Sequence, residues 1–85
     1  MHMPRIHTSN SICRKMLHVR NKQGGHSAVT PIQVDHVIEF GETIQSKRRW
    51  CDRAILKEFE FEDEIVRVKY YEKEKVFRVV DVYGV

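Results

Sequence analysis

The sequence predicts an α+β fold: a short N-terminal strand, two helices, and then a three- to four-stranded antiparallel sheet. Three observations point to it. Apolar residues recur at helical spacing between Ile12 and Ile38. Beyond Glu42 the apolar period changes to two. Short polar turns, Glu62-Asp63 and Glu72 to Lys75, separate the late segments, and turns of that length favour antiparallel neighbours.

Each element has its own signal. Pro4 to His7 suits an edge strand, where a leading proline is tolerated. Thr8, Ser9, Asn10 and Ser11 offer N-caps to a first helix. Its apolar positions are Ile12, Cys13, Met16, Leu17 and Val19, and Gly24-Gly25 are expected to end it. Gln23 to Val29, rich in Gly, Ser and His, reads as an optional and mobile loop. The second helix carries the clearest signature. Thr30 caps it, Pro31 suits its first turn, Gln33 completes a capping box, and Gly41 stops it. Val34, Val37 and Ile38 form its apolar stripe, which leaves His36 on the surface.

Thr43 to Ser46 then reads as a short strand, and Lys47 to Trp50 as a basic loop or strand start. Arg53 to Phe61 places Ile55, Phe59 and Phe61 on one face. In Ile65 to Tyr71, Val66, Val68 and Tyr70 face one way, while Arg67, Lys69 and Tyr71 face the other. Val76 to Tyr83 alternates Phe77, Val79, Asp81 and Tyr83 against Val76, Arg78, Val80 and Val82. A strand apolar on both faces belongs near the middle of a sheet with helices on one side.

Eighty-five residues suit one domain, 1–85, with a modest core. No apolar run is long enough to span a membrane, and no apolar stretch of a signal peptide follows Met1-His2-Met3-Pro4. Cys13 and Cys51 fall short of a disulfide framework and read as half-buried thiols. No His or Cys pair has zinc-site spacing, so neither a metal nor another cofactor is expected. The net charge of +3 is unevenly spread. The chain carries +5 through Arg53 and −2 from Ala54 onward, and a basic half is a polyanion footprint.

Certain residues go beyond pattern. His7 is followed by Arg14-Lys15-Met16, Arg20, Thr30, Gly41-Glu42-Thr43-Ile44 and Val79-Val80-Asp81-Val82-Tyr83. This order resembles a small uncharacterised bacterial domain family. That family is itself similar to RelE-like toxins and the wider barnase–EndoU–colicin–RelE group of ribonucleases. The likeness covers nearly the whole chain through loose motifs. It departs from the family in the seven-residue step from His7 to Arg14 and in the extra stretch Lys22 to Val29. The resemblance implies a RelE/barnase-like fold and a metal-independent ribonuclease toxin that cleaves tRNA or mRNA in target bacteria. It would be of the toxin–antitoxin or contact-dependent growth inhibition type. Such a toxin acts in the bacterial cytoplasm, either alone or as the C-terminal part of a larger secreted protein. It implies a cognate immunity or antitoxin protein, expected to be acidic.

The chemistry asks for few groups. Cleavage through the 2′-hydroxyl needs proton transfer, which histidine supplies near neutral pH. It also needs charge stabilisation at phosphorus, which arginine supplies. His7, at a strand end beside a helix start, is the candidate acid or base. Arg14 is the phosphate clamp, with His18 one turn on and His26 in the glycine-rich loop as further candidates. Tyr83 is added by the resemblance, since an aromatic or polar residue near this point of RelE-like enzymes approaches the RNA. Lys47, Arg48, Arg49 and Arg53 crowd around Trp50, where charges track phosphates and the ring stacks on a base. Arg20 and Lys22 join the RNA-binding set.

Two other classes remain. A non-catalytic RNA- or partner-binding module would use the Lys47–Arg53 cluster and not the histidines. An immunity or antitoxin protein would use the acidic 58–64 run to cover a basic partner. On the ribonuclease reading, the cleft is expected where helix one, the Lys47–Arg53 segment and the end of the last strand meet.

Overall fold

The computed structural model describes residues 5–50 and 52–85. In chain order these form β1 (Arg5–Thr8), α1 (Asn10–Met16), β2 (Val19–Arg20), β3 (His26–Ser27), α2 (Pro31–Phe40), β4 (Glu42–Arg49), β5 (Asp52–Phe61), β6 (Glu64–Lys73) and β7 (Val76–Gly84). Five strands make one sheet in the order β1-β7-β6-β5-β4, and β2 and β3 make a separate small hairpin. Pro4, the expected start of the first strand, and Cys51 lie outside the described residues.

These elements correct the expected fold class. Most of the described chain is strand, the two helices are short, and the five-stranded sheet is mixed, because β1 runs parallel to β7. A RelE/barnase-like α+β arrangement with an all-antiparallel sheet is not what forms. Short turns identify neighbours joined by hairpins, and β4 to β7 do follow one another antiparallel. They carry no information about β1, whose partner lies some seventy residues away along the chain.

Helix α1 also ends early. Ser9 caps it by accepting from the Ile12 amide, and it stops at Leu17 instead of continuing to Gly24. Val19 is then buried in β2, and the Val29 amide donates to the Met16 carbonyl, so the chain turns inward within a turn of the helix end. The segment taken for a loop contains β3, paired with β2. Asn21 organises the connection: its Oδ1 accepts from the Gln23 and Gly25 amides, and its Nδ2 donates to Ser27. Gly24, at φ 87°, serves this turn and not a helix cap. Helix α2 matches its signature, with both capping-box bonds between Thr30 and Gln33 present.

Both helices cover one face of the sheet. Met16, Val34, Val37 and Ile38 pack there with Ile55, Val66, Val68, Tyr70, Val79 and Val82. Burying these side chains is the main stabilising term, roughly 1.5–3 kcal/mol for each large aliphatic one. Lys57, on the same face of β5, donates to the Ile38 carbonyl at 2.7 Å and satisfies one acceptor at the end of α2. Strand β7 lies between β1 and β6, as its two apolar faces suggest. Its alternation breaks, however. A register shift opposite Lys69 and Tyr70 brings Val79 and Val82 to the core together with Phe77, so Asp81 is not grouped with Phe77 and Val79 as simple alternation requires. Asp81 instead bonds Lys15 on α1 and accepts from the Val82 amide.

Candidate nucleic-acid interface

Among the described residues, no helix packs on the opposite face of the sheet. Directly paired residues share a face, so the strand registers define its rows. One row crosses all five strands: His7 on β1, Arg78 on β7, Tyr71 on β6, Ala54 on β5 and Lys47 on β4. At about 4.8 Å per strand it spans roughly 19 Å. None of the five residues is buried. Towards one end of the strands, Arg5, Val76 and Lys73 form the next row, with Arg49 and Asp52 beside Lys47 and Ala54. Towards the other end Asp81, beside the register shift of β7, pairs with Lys69, and Lys69 with Leu56 and Gln45; Tyr83 pairs with Arg67, Glu58 and Glu42.

Charge is therefore sorted along the strands as well as along the chain. Lys47, Arg49, Lys73, Arg78 and Arg5 gather at the end that holds the β4–β5 and β6–β7 turns, together with Asp52 and Glu74. Glu42, Glu58 and Glu60 lie towards the other end, which closes on the Glu62-Asp63 turn. At that acidic end the Glu58 carboxylate accepts from Arg67 at 2.9 Å. This bond, and next the one with the Tyr83 hydroxyl, raises the Arg67 pKa above its ordinary value and keeps the guanidinium charged.

Trp50 follows β4 directly, where the chain turns towards β5, at φ 58° and 93% exposed. Between it and Tyr71 lies a cleft of about 430 Å³ lined by Arg49, Trp50, Asp52, Ala54 and Tyr71. A second cleft of about 290 Å³ adjoins it and shares Tyr71 and Asp52, with Lys73, Glu74, Val76 and Arg78 as its other walls. The small side chain of Ala54 leaves the first cleft its depth.

The expected site residues do not meet at one cleft. Only His7, Lys47, Arg49 and Trp50 lie on the basic part of the open face. Arg48 and Arg53 pair with one another on the opposite face, because successive strand residues alternate. Arg14 is exposed on α1 and lines an apolar groove with Cys13, Leu17 and Val29; His18 is exposed just beyond the helix. Arg20 and His26 pair across the small hairpin and Lys22 lies in its loop, away from the main sheet's rows. Tyr83 is on the open face but at its acidic end, five positions along β7 from Arg78.

The anticipated junction of α1, Lys47–Arg53 and the end of β7 is corrected for the same reason. Helix α1 packs on β7, and β4 is the far edge of the sheet. Two smaller expectations are corrected as well. His36 is not mere surface, since its ring packs on Phe40, Phe59 and Phe61 with centroids 4.8, 4.5 and 5.7 Å away. Cys13 is an exposed free thiol.

Arg78, Tyr71, Lys73, Arg5 and Ala54 were missed as site residues. Alternation had already put Lys69 and Tyr71 on one side of β6 and Arg78 opposite Phe77 on β7. What the sequence lacks is the register that aligns them.

Among the described residues no three His, Cys, Asp or Glu side chains gather as a metal site, and no helix is long and apolar enough to cross a membrane. The chain matches no protein-family model, no curated protein and no solved structure.

Proposed function

We propose that this protein binds a single strand of RNA across the open face of its sheet and cleaves it as a metal-independent ribonuclease of the toxin type. The observation that carries the reading is the row His7–Arg78–Tyr71–Ala54–Lys47, in which a histidine and an arginine sit directly opposite one another on an exposed basic face. Cations along an open sheet track phosphates, and exposed aromatic rings accept unstacked bases. His7 takes the proton of the 2′-hydroxyl. The 2′-oxygen attacks phosphorus, the P–O5′ bond breaks, and a 2′,3′-cyclic phosphate forms. Arg78 neutralises the phosphorus oxygens as negative charge develops on them, and water at this open face protonates the leaving 5′-oxygen. An acidic inhibitor protein suits the same face and would compete with RNA for it.

The test is incubation of purified protein with total tRNA and with mRNA in EDTA. Fragments ending in 2′,3′-cyclic phosphate are expected. His7→Ala and Arg78→Ala each lose roughly 10²- to 10⁴-fold in rate, while Arg14→Ala and His26→Ala cut like wild type. Absence of cleavage, or full activity in His7→Ala, overturns the ribonuclease reading.

One observation favours a second reading. Among the described residues the basic end of the face holds a single histidine, His7, whereas His18, His26 and His36 lie elsewhere. Salt-dependent RNA binding without cleavage would select a non-catalytic RNA-binding module on the same surface.

A further inference from the structure

We infer that the cleft between Trp50 and Tyr71 is a nucleobase subsite, in which one unstacked base is held between the two rings over Ala54. The inference rests on RNA binding at the open face and adds how the strand is gripped there. Four features support it. Trp50 is the chain's one tryptophan, and it is almost fully exposed at a turn tip. Tyr71 is 39% exposed on the neighbouring face of β6. The space between them, about 430 Å³, falls in the usual range of roughly 300–1,000 Å³ for small-ligand sites. The floor is an alanine flanked in its row by Tyr71 and Lys47, so the recess exists because that one side chain is short.

The walls divide the work. Two aromatic faces stack on a planar ring of any base, since every base has a π-face. Arg49, in the lining, and Lys47, paired with Ala54, are cations placed for the phosphates on either side of the stacked nucleotide. Apolar partners without planar rings gain little from a cleft lined by aromatic side chains, and a bare polyanion uses the cations alone. The subsite therefore distinguishes a strand with bases from a strand of phosphates.

The experiment uses the full chain and the fluorescence of Trp50. Three probes are titrated at low salt: an oligoadenylate 12-mer with non-cleavable 2′-O-methyl sugars, an abasic strand of equal length, and inorganic polyphosphate. Binding is followed independently by anisotropy of end-labelled strands, with polyphosphate read by competition. The adenylate is expected to quench Trp50 and to bind more tightly than the abasic strand, which binds without equal quenching.

Two variants separate the cleft from the charge. Trp50→Ala and Ala54→Leu each weaken adenylate binding by about 5- to 150-fold and leave polyphosphate binding unchanged. Trp50→Phe restores most of the loss. Circular dichroism confirms that the variants fold; both positions lie off the core. If adenylate binds without quenching, or Ala54→Leu binds it like wild type, the subsite is overturned while RNA binding at the face stands. If no strand binds at low salt, both fall.

Discussion

Tyr70 shows how one side chain ties the core to solvent conditions. It is almost fully buried in the middle of β6. Burial, and secondarily the nearby Glu72 carboxylate, pushes its phenol up to about 12. The neutral form is thus favoured in the fold. An unfolded tyrosine ionises near 10, so the stability that this group supplies is complete below pH 10 and is lost as pH rises from 10 to about 12. The loss is on the order of 2–3 kcal/mol. Urea unfolding at pH 9 and pH 11.5 should show a smaller decline in Tyr70→Phe than in wild type; equal declines would refute the assignment.

A second residue effect is backbone strain. Trp50, Glu62 and Glu74 each follow a strand directly, at the start of a hairpin turn, with positive φ between 53° and 58°. Non-glycine residues pay roughly 1–2 kcal/mol there. Because all three hairpins share it, the strain belongs to the turn geometry and not to the binding cleft. Glu62→Gly should raise the thermal midpoint by a few degrees, the consequence of about 1 kcal/mol. A lowered midpoint would contradict this account.

At the scale of elements, the junction of α2 and β4 depends on Gly41. Its φ is −70°, so no left-handed conformation is needed. The requirement is space: a Cβ there would meet the Val37 carbonyl oxygen and, at 2.8 Å, the Glu58 carbonyl oxygen. Both obstacles are backbone and cannot swing aside. Gly41→Ala should cost about 2–3 kcal/mol as an overpacked contact, measured as a lower urea midpoint with an unchanged slope. The sequence marks Gly41 as the end of a helix, and that much is right. Only the packing of α2 across β5 shows that the residue is needed for close approach. Helix α1 is the converse case. Its cap and its buried Met16 were legible, but its end was not. Val19 fits a continuing helical stripe as well as it fits β2, and tertiary burial decides between them.

For the whole molecule, the sorted charge makes a prediction that sequence proximity does not. Lys47 and Arg49 are on the open face, whereas Arg48, between them, and Arg53, its partner across the hairpin, are on the other. A Lys47→Ala/Arg49→Ala double variant should lower the salt dependence of RNA affinity by about 1.4 in log–log slope, at roughly 0.7 per phosphate contact on a single strand. An Arg48→Ala/Arg53→Ala variant should leave the slope where it is. Equal effects would mean that the cluster acts as undirected charge and that the open face is not the track.

Local physics in the sequence determined the elements that rest on local physics. These are the capping box of α2, the apolar stripe of Val34, Val37 and Ile38, the alternation of β6, the turn at Glu62-Asp63 and, within the expected Glu72 to Lys75, the turn that falls at Glu74-Lys75 once β6 runs on to Lys73. It also determined that the chain is basic. The tertiary structure alone decided that β1 joins β7 in parallel, that a bulge re-aims the end of β7, and that His7 comes to stand beside Arg78 and in line with Tyr71. Helix caps and two-residue turns are energies between near neighbours in the chain. Strand register is set by which apolar faces are buried together across the whole core, and a site assembled from register stays hidden until that burial is known.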